Sequence, residues 1–194
     1  YLQFSTYVRN KIRTLRRPIV IGLSGIQGSG KSTQATILQN YLSSQFGMTT
    51  CVFSIDDFYR DQTERSLLSE RIHPLLKTRG VPGTHHVDAV HSVLDALLNS
   101  ASGATVSIPQ FDKSIDNPKP RSDWKDQSLP VNVIIFEGWC VGARAQADEQ
   151  LDSPINDLER DEDADGIFRR YVNNQLREHY EALWQRLDTT VWLQ

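Results

Sequence analysis

GLSGIQGSGKST, residues Gly22 to Thr33, contains the spacing GxxxxGK[ST], with Gly25, Gly30, Lys31 and Ser32 at the fixed positions. Ahead of it runs the apolar stretch PIVIGLS, of strand type. Behind it TQATILQNYLSSQ places Ile37, Leu38, Tyr41 and Leu42 at helical spacing. A Gly-rich turn that merely precedes a helix is the plain alternative, but strand, loop and helix stand in the order a phosphate-binding loop requires. Glycines let backbone amides turn inward and approach a phosphate closely, and the following helix directs its positive end at the same anion. The loop therefore predicts a nucleoside triphosphate held by Gly25, Gln27, Gly28, Ser29, Gly30, Lys31, Ser32 and Thr33. Within that group Lys31 is expected on the β and γ phosphates and the Ser32 hydroxyl on magnesium.

Length and composition point to one P-loop domain over residues 1–194, with a core of ordinary size. A net charge of −3 argues against nucleic acid or an acidic membrane as the main partner. No apolar run reaches the length of a membrane span, and the expectation is a soluble, cytoplasmic protein. The first acid in the chain is Asp56. The basic head, YLQFSTYVRNKIRTLRRP, is a targeting peptide by composition, or a first helix by the stripe Phe4, Tyr7, Val8, Ile12 and Leu15; the stripe favours the helix. Cys51 and Cys140 lie in apolar, strand-like contexts without metal spacing and read as reduced, structural thiols. Tyr1 and the closing TTVWLQ suggest a trimmed polypeptide.

Strand candidates are Ile19 to Leu23, Thr50 to Ile55, Thr105 to Ile108, Val131 to Phe136 and Thr190 to Leu193, mostly separated by helical patterns. VIIF is apolar at every position, as in a strand buried on both faces. The expected fold class is α/β, a P-loop NTPase fold with a central parallel sheet in an α/β/α sandwich. Ligands in such sheets collect at the C-terminal strand ends. SIDDFYR follows the second strand, so that one of Asp56 and Asp57 can face the γ phosphate and accept a hydroxyl proton while the other caps a helix. EGW follows VIIF and sets Glu137 where a P-loop protein keeps its magnesium-facing acid. RGVPGTHH (Arg79 to His86) and IPQFDKS (Ile108 to Ser114) carry cations and imidazoles that are either solvated or functional. The two histidines lack the i, i+4 spacing of a helical zinc site, and no protein-bound transition metal is expected. QLDSPINDLERDEDADG (Gln150 to Gly166) reads as a solvated acidic loop with a helix start, and FRRYVNNQLREHYEALWQRLD as one amphipathic helix over the sheet.

Taken together, GIQGSGKST, SIDDFY, RGVPGTH, FDKS, FEGWCVGAR, PINDLERDEDADGIFRRYVNNQL and LWQRLD resemble the D-glycerate 3-kinase family, from about Arg17 to the end of the chain. That family is one of the P-loop kinases, with uridine kinase, phosphoribulokinase and bacterial pantothenate kinase. The resemblance implies transfer of the ATP γ phosphate to a hydroxyl of D-glycerate, a small-molecule partner, with magnesium as cofactor. It matches Asp56 to the general base, Lys31 and Ser32 to the phosphate and magnesium positions, and Glu137 to the Walker B-type acid. Ser32, Asp56 and Glu137 thus form the expected metal group, while Arg79, His85, Lys113 and Arg121 fall in segments that look like the acceptor site. A nucleoside or pantothenate acceptor and a regulatory protein with little catalysis are the alternatives. The chain departs from the family in His86, where many relatives have Asp, and in IDNPKPRSDW. Relatives also continue past the last strand with an Arg-bearing helix, so the chain is expected to lack that part.

Overall fold

A computed structural model describes residues 2–99 and 101–193 of the chain. Helix α1 (Leu2–Leu15) leads into strand β1 (Ile19–Gly25), and the phosphate loop joins β1 to α2 (Lys31–Phe46). Then come β2 (Thr50–Ser54), a 3₁₀ turn (Ile55–Phe58), α3 (Gln62–Arg71) and α4 (Val87–Asn99). Four short strands follow, β3 (Thr105–Ile108), β4 (Phe111–Asp112), β5 (Asn117–Pro118) and β6 (Lys125–Ser128). The chain then returns to the centre as β7 (Val133–Gly138) before α5 (Asp157–Glu162), α6 (Ile167–Gln175), α7 (Glu181–Trp184) and β8 (Thr189–Leu193).

The central sheet has four parallel strands in the order β2-β7-β1-β8. β7 explains its own position. Every residue from Val133 to Gly138 is buried, with Val133 and Ile135 in the core beneath α1 and α2 and Ile134 and Phe136 in the core beneath α4 and α7. A strand apolar on both faces can sit only between two helical layers. Val8 of α1 with Ala35, Leu38 and Leu42 of α2 closes one side. On the other side lie Val90, Leu94 and Leu97 of α4, together with Leu183 of α7. Asp188 fastens the sheet edge by accepting from Val20 N (2.8 Å) and from both terminal nitrogens of Arg17 (2.9 and 2.7 Å).

Thr105–Ile108 is a strand, but it lies outside the parallel sheet and pairs antiparallel with β6. Its alternation gives the reason: Val106 and Ile108 are buried, Thr105 and Ser107 are not, and such a strand suits a ribbon with one wet face. The expected long helix after Gly166 is also interrupted. Between α6 and α7 the residues Leu176–Tyr180 form a π-helical turn. The basic head is helical, as its apolar stripe predicts. Both cysteines are free and buried, and loss of solvent pushes each thiol up to about 12, which keeps them protonated. Among the described residues no helix is long and apolar enough to cross a membrane.

Candidate active site

The phosphate loop begins where β1 runs out of room. A Cβ on Gly25 would stand 2.7 Å from Ser29 Oγ and 3.0 Å from Leu193 O. Gly28 and Gly30 take φ of +81° and +82°, left-handed values that cost a side-chain-bearing residue roughly 1 kcal/mol or more. The first intrahelical bond of α2 is Gln34 N to Gly30 O (2.8 Å), so the amides of Lys31, Ser32 and Thr33 precede it and are left for an anion. Lys31 arches back over the loop and donates to Gly25 O (2.7 Å) and Ile26 O (2.8 Å). Ser29 Oγ is buried and has no partner among the described residues. A concave loop with free amides, an ammonium group and an orphaned hydroxyl fits a phosphate chain.

Glu137 stands at the C-terminal end of β7, in register with Leu23 of β1 and Ser54 of β2. It is only 7% exposed, which separates it from an ordinary surface Glu. Its Oε1 accepts from Ser32 Oγ at 2.9 Å. A hydroxyl and a carboxylate converging beside a phosphate loop form a hard oxygen set that suits magnesium. Ser32 and Glu137 would hold that ion, which when bound neutralises phosphate charge. Gly138 follows because a Cβ there would lie 2.5 Å from Ile55 Cγ2, at the start of the turn that carries the two aspartates.

The aspartates have separate surroundings. Asp57 turns inward, where its carboxylate accepts from Ser54 N (3.3 Å) and Phe111 N (3.4 Å) and completes a capping box with Ser54. Burial raises its pKa to about 6, the two amides oppose the rise, and the charges of Asp56 and Glu137 add to it. Because the folded value lies above the unfolded one, this stabilising contribution is complete below about pH 4 and lost as pH rises through about 6. Urea unfolding with magnesium chelated is expected to show wild type losing on the order of 2 kcal/mol relative to Asp57→Asn between pH 4 and 7. Parallel pH profiles of the two proteins would contradict this assignment.

Asp56 turns toward the cleft. Its Oδ1 accepts from Tyr59 OH (3.1 Å) and its Oδ2 from Lys113 Nζ (2.7 Å). Tyr59 is buried, stacked on His85 with centroids 4.4 Å apart and set edge-on to Phe111. Burial and the Asp56 charge push its phenol well above the usual tyrosine range, so it serves as a donor and keeps its proton. The segment RGVPGTHH lies alongside the stretch after β2 through Arg60 N to Thr84 O (2.9 Å) and His86 N to Phe58 O (2.8 Å). These bonds carry His85 to Asp56 and Tyr59. His86 instead faces Glu64, with Nε2 and Oε2 3.0 Å apart.

Arg79 is ion-paired to Asp116 and lies over the Phe111 ring. Asp116 is also held by Arg65, which is 1% exposed and donates to Asp116 Oδ2 (2.7 Å), Asp116 O (3.0 Å), Arg60 O (3.1 Å) and Lys77 O (3.1 Å). Lys113 and Arg79 thereby reach the same region from two segments. Arg121 does not join them by any contact described: it is exposed in the turn Arg121–Asp123, with its guanidinium over Trp124. Trp139 donates to Gly80 O (2.9 Å) and bridges the end of β7 to the Arg79 loop. An open cleft of about 470 Å³ runs there, lined by Ile26, Gln27, Gly80, Val81 and Trp139.

Sequence spacing gives no sign of Arg65, Asp116 or Tyr180, whose hydroxyl lies 2.8 Å from His85 Nδ1, as parts of this region. Arg65 and Tyr180 sit in ordinary helical patterns, and the Asp116 partners are 51 and 37 residues away. The acidic segment holds a second surprise: Asp163 is buried and paired with buried Arg169, so that stretch is not solvated throughout. His73 and Asp165 bring ligand atoms within 4.8 Å of Asp163. The carboxylates there are already taken, Asp163 by the amides of Phe168 and Arg169 and Asp165 by that of Ile167. Helix capping accounts for the group.

The architecture and the loop define a P-loop protein with a buried glutamate, Glu137, beside its phosphate-loop serine. The chain is 35% identical over 189 residues to the kinase mug58 of Schizosaccharomyces pombe, covering 92% of this chain and 65% of that one. It is 34% identical over 164 residues to a uridine kinase of Clostridium perfringens, covering 82% of this chain and 70% of the relative. The solved D-glycerate 3-kinase from Cryptococcus neoformans superposes with a TM-score of 0.78 at 25% identity, over 98% of this chain and 71% of that one. No family model matches. The chain belongs to the P-loop kinases that include uridine kinase and D-glycerate 3-kinase. It spans 65%, 46% and 37% of the length of three curated relatives.

Proposed function

We propose that this chain transfers the γ phosphate of ATP, bound with magnesium, to a hydroxyl of D-glycerate. The observation that carries the proposal is the Lys113–Asp56–Tyr59 arrangement beside Ser32 and Glu137. A carboxylate can accept the hydroxyl proton, and adjacent cations can hold a carboxylate on the same small molecule. Lys113 is engaged by Asp56 itself. A hydroxy acid would draw the ammonium to its own carboxylate and leave Asp56 free as the base. The bond from Pγ to the ADP oxygen then breaks, a bond from Pγ to the substrate oxygen forms, and the hydroxyl proton passes to Asp56. Lys31 and the loop amides stabilise charge on the moving group. Arg79, held over Phe111, adds a second fixed cation for the acceptor.

The named D-glycerate 3-kinase structure supports a hydroxy-acid acceptor, whereas the uridine kinase relative supports a nucleoside. A coupled ADP-release assay with D-glycerate, other hydroxy acids, uridine and pantothenate separates them. D-Glycerate is expected to give the largest stimulation. Release stimulated by uridine alone would overturn the substrate assignment, and ATP binding without stimulation by any acceptor would favour a regulatory protein.

A further inference from the structure

Tyr180 closes the π-helical turn Leu176–Tyr180, a rare form of helix that occurs mostly as single turns and frequently at functional sites. The residue is fully buried, and its hydroxyl meets two groups from the RGVPGTHH segment: Gly83 N at 3.0 Å and His85 Nδ1 at 2.8 Å. Gly83 is the closest point of approach, for a Cβ there would stand 2.6 Å from Tyr171 Cε1 and 2.9 Å from Gln175 Cγ. The amide can only donate, so it occupies a lone pair of the Tyr180 oxygen. The hydroxyl proton then has one acceptor among its described partners, Nδ1 of His85. An Nδ1–H would instead leave the Tyr180 proton without a partner in a buried place, which is costly.

His85 is therefore an Nε2–H imidazole. Burial lowers its pKa to about 3; Asp56 opposes that shift, and Arg60 and His86 add to it, so the ring stays neutral. Tyr59 stacks on one face and Tyr180 meets the edge. Nε2 is buried and lacks any hydrogen-bond partner among the described residues. A fixed buried donor left unsatisfied calls for an explanation outside the chain. The residue also borders an open cleft of about 330 Å³ shared with Arg60, His86, Gln175 and His179.

We propose that Tyr180 is a positioning residue that holds His85 as the Nε2–H tautomer, and that this N–H donates to an oxygen of the molecule that receives the phosphate. The second half rests on the kinase assignment above and holds for whichever acceptor the ADP-release panel identifies. Two-bond ¹H–¹⁵N imidazole spectra at neutral pH test the first half without any substrate. Wild type is expected to show a single Nε2–H tautomer for His85, and Tyr180→Phe a mixture. A predominant Nδ1–H form in wild type, or an unchanged tautomer in Tyr180→Phe, would overturn it. Kinetics test the second half. Tyr180→Phe should raise KM for the acceptor about 3- to 10-fold, the scale of one neutral hydrogen bond, and leave KM for ATP unchanged. Should Tyr180→Phe fold poorly, His85→Gln, which keeps an N–H near the Nε2 place, is expected to bind acceptor more tightly than His85→Ala. Equal KM for those two variants would remove the donor role. If no acceptor stimulates ADP release, the kinase assignment and the donor role fall together, while the spectra still decide the tautomer.

Discussion

Asp56→Asn is expected to lower turnover about 10²- to 10⁴-fold with ATP binding retained, the usual scale for loss of a general base. The substitution keeps an oxygen for the Tyr59 hydroxyl. It breaks the ion pair with Lys113, but that lysine is well exposed, and exposed pairs contribute at most about 1 kcal/mol. The fold should therefore survive, because the capping of the 3₁₀ turn belongs to Ser54 and Asp57. ATP affinity by calorimetry and turnover at saturating ATP and acceptor are the two measurements required. Unchanged turnover with chemistry rate-limiting would take the base role from Asp56. Weakened ATP binding as the main effect would instead place Asp56 on the nucleotide and its metal.

Arg169→Met is expected to destabilise the fold by about 3 to 5 kcal/mol, the cost of leaving a buried charge without its partner. Asp163 is 1% exposed and accepts from Phe168 N (2.7 Å) and Arg169 N (3.1 Å), so those two amides would remain to it. The guanidinium, which also donates to Leu151 O (2.8 Å), would be gone. Adding Asp163→Asn removes the stranded charge and should recover part of the loss. Urea unfolding of the single and double variants gives the comparison. A loss below about 1 kcal/mol for Arg169→Met would show the pair to behave as a surface bridge.

The phosphate loop was legible because its glycines, lysine and serine all fall in one short stretch, Gly25 to Ser32, and one strand and one helix place them. The same holds for Glu137, whose position follows from the buried run VIIF. Asp56 and Asp57 could be recognised as a pair at a strand end, yet only the direction of each side chain tells the cap from the group facing Lys113. Other features depend on contacts far apart in the chain. Arg65 and Arg79 meet at Asp116 because the β4–β5 hairpin folds back on α3, and no periodicity encodes that meeting. Arg121 is close in sequence to Lys113 and still points elsewhere, toward Trp124. Tyr180 keeps its place in an apolar stripe whether the helix is regular or π-wound, so its hydroxyl chemistry was hidden. Thr105–Ile108 has strand composition, but its pairing partner β6 is polar and exposed at most positions and carries no strand signal of its own.

In the proposed reaction a phosphoryl group passes from ATP to a hydroxyl held near Asp56. The most direct measurement is to incubate the chain with magnesium, D-glycerate and ATP labelled in its γ phosphate, and to follow where the label goes. The expected product is a labelled phosphomonoester of glycerate, formed in step with ADP and greatly reduced by Asp56→Asn. Label appearing only as inorganic phosphate, or on uridine and not on glycerate, would contradict it.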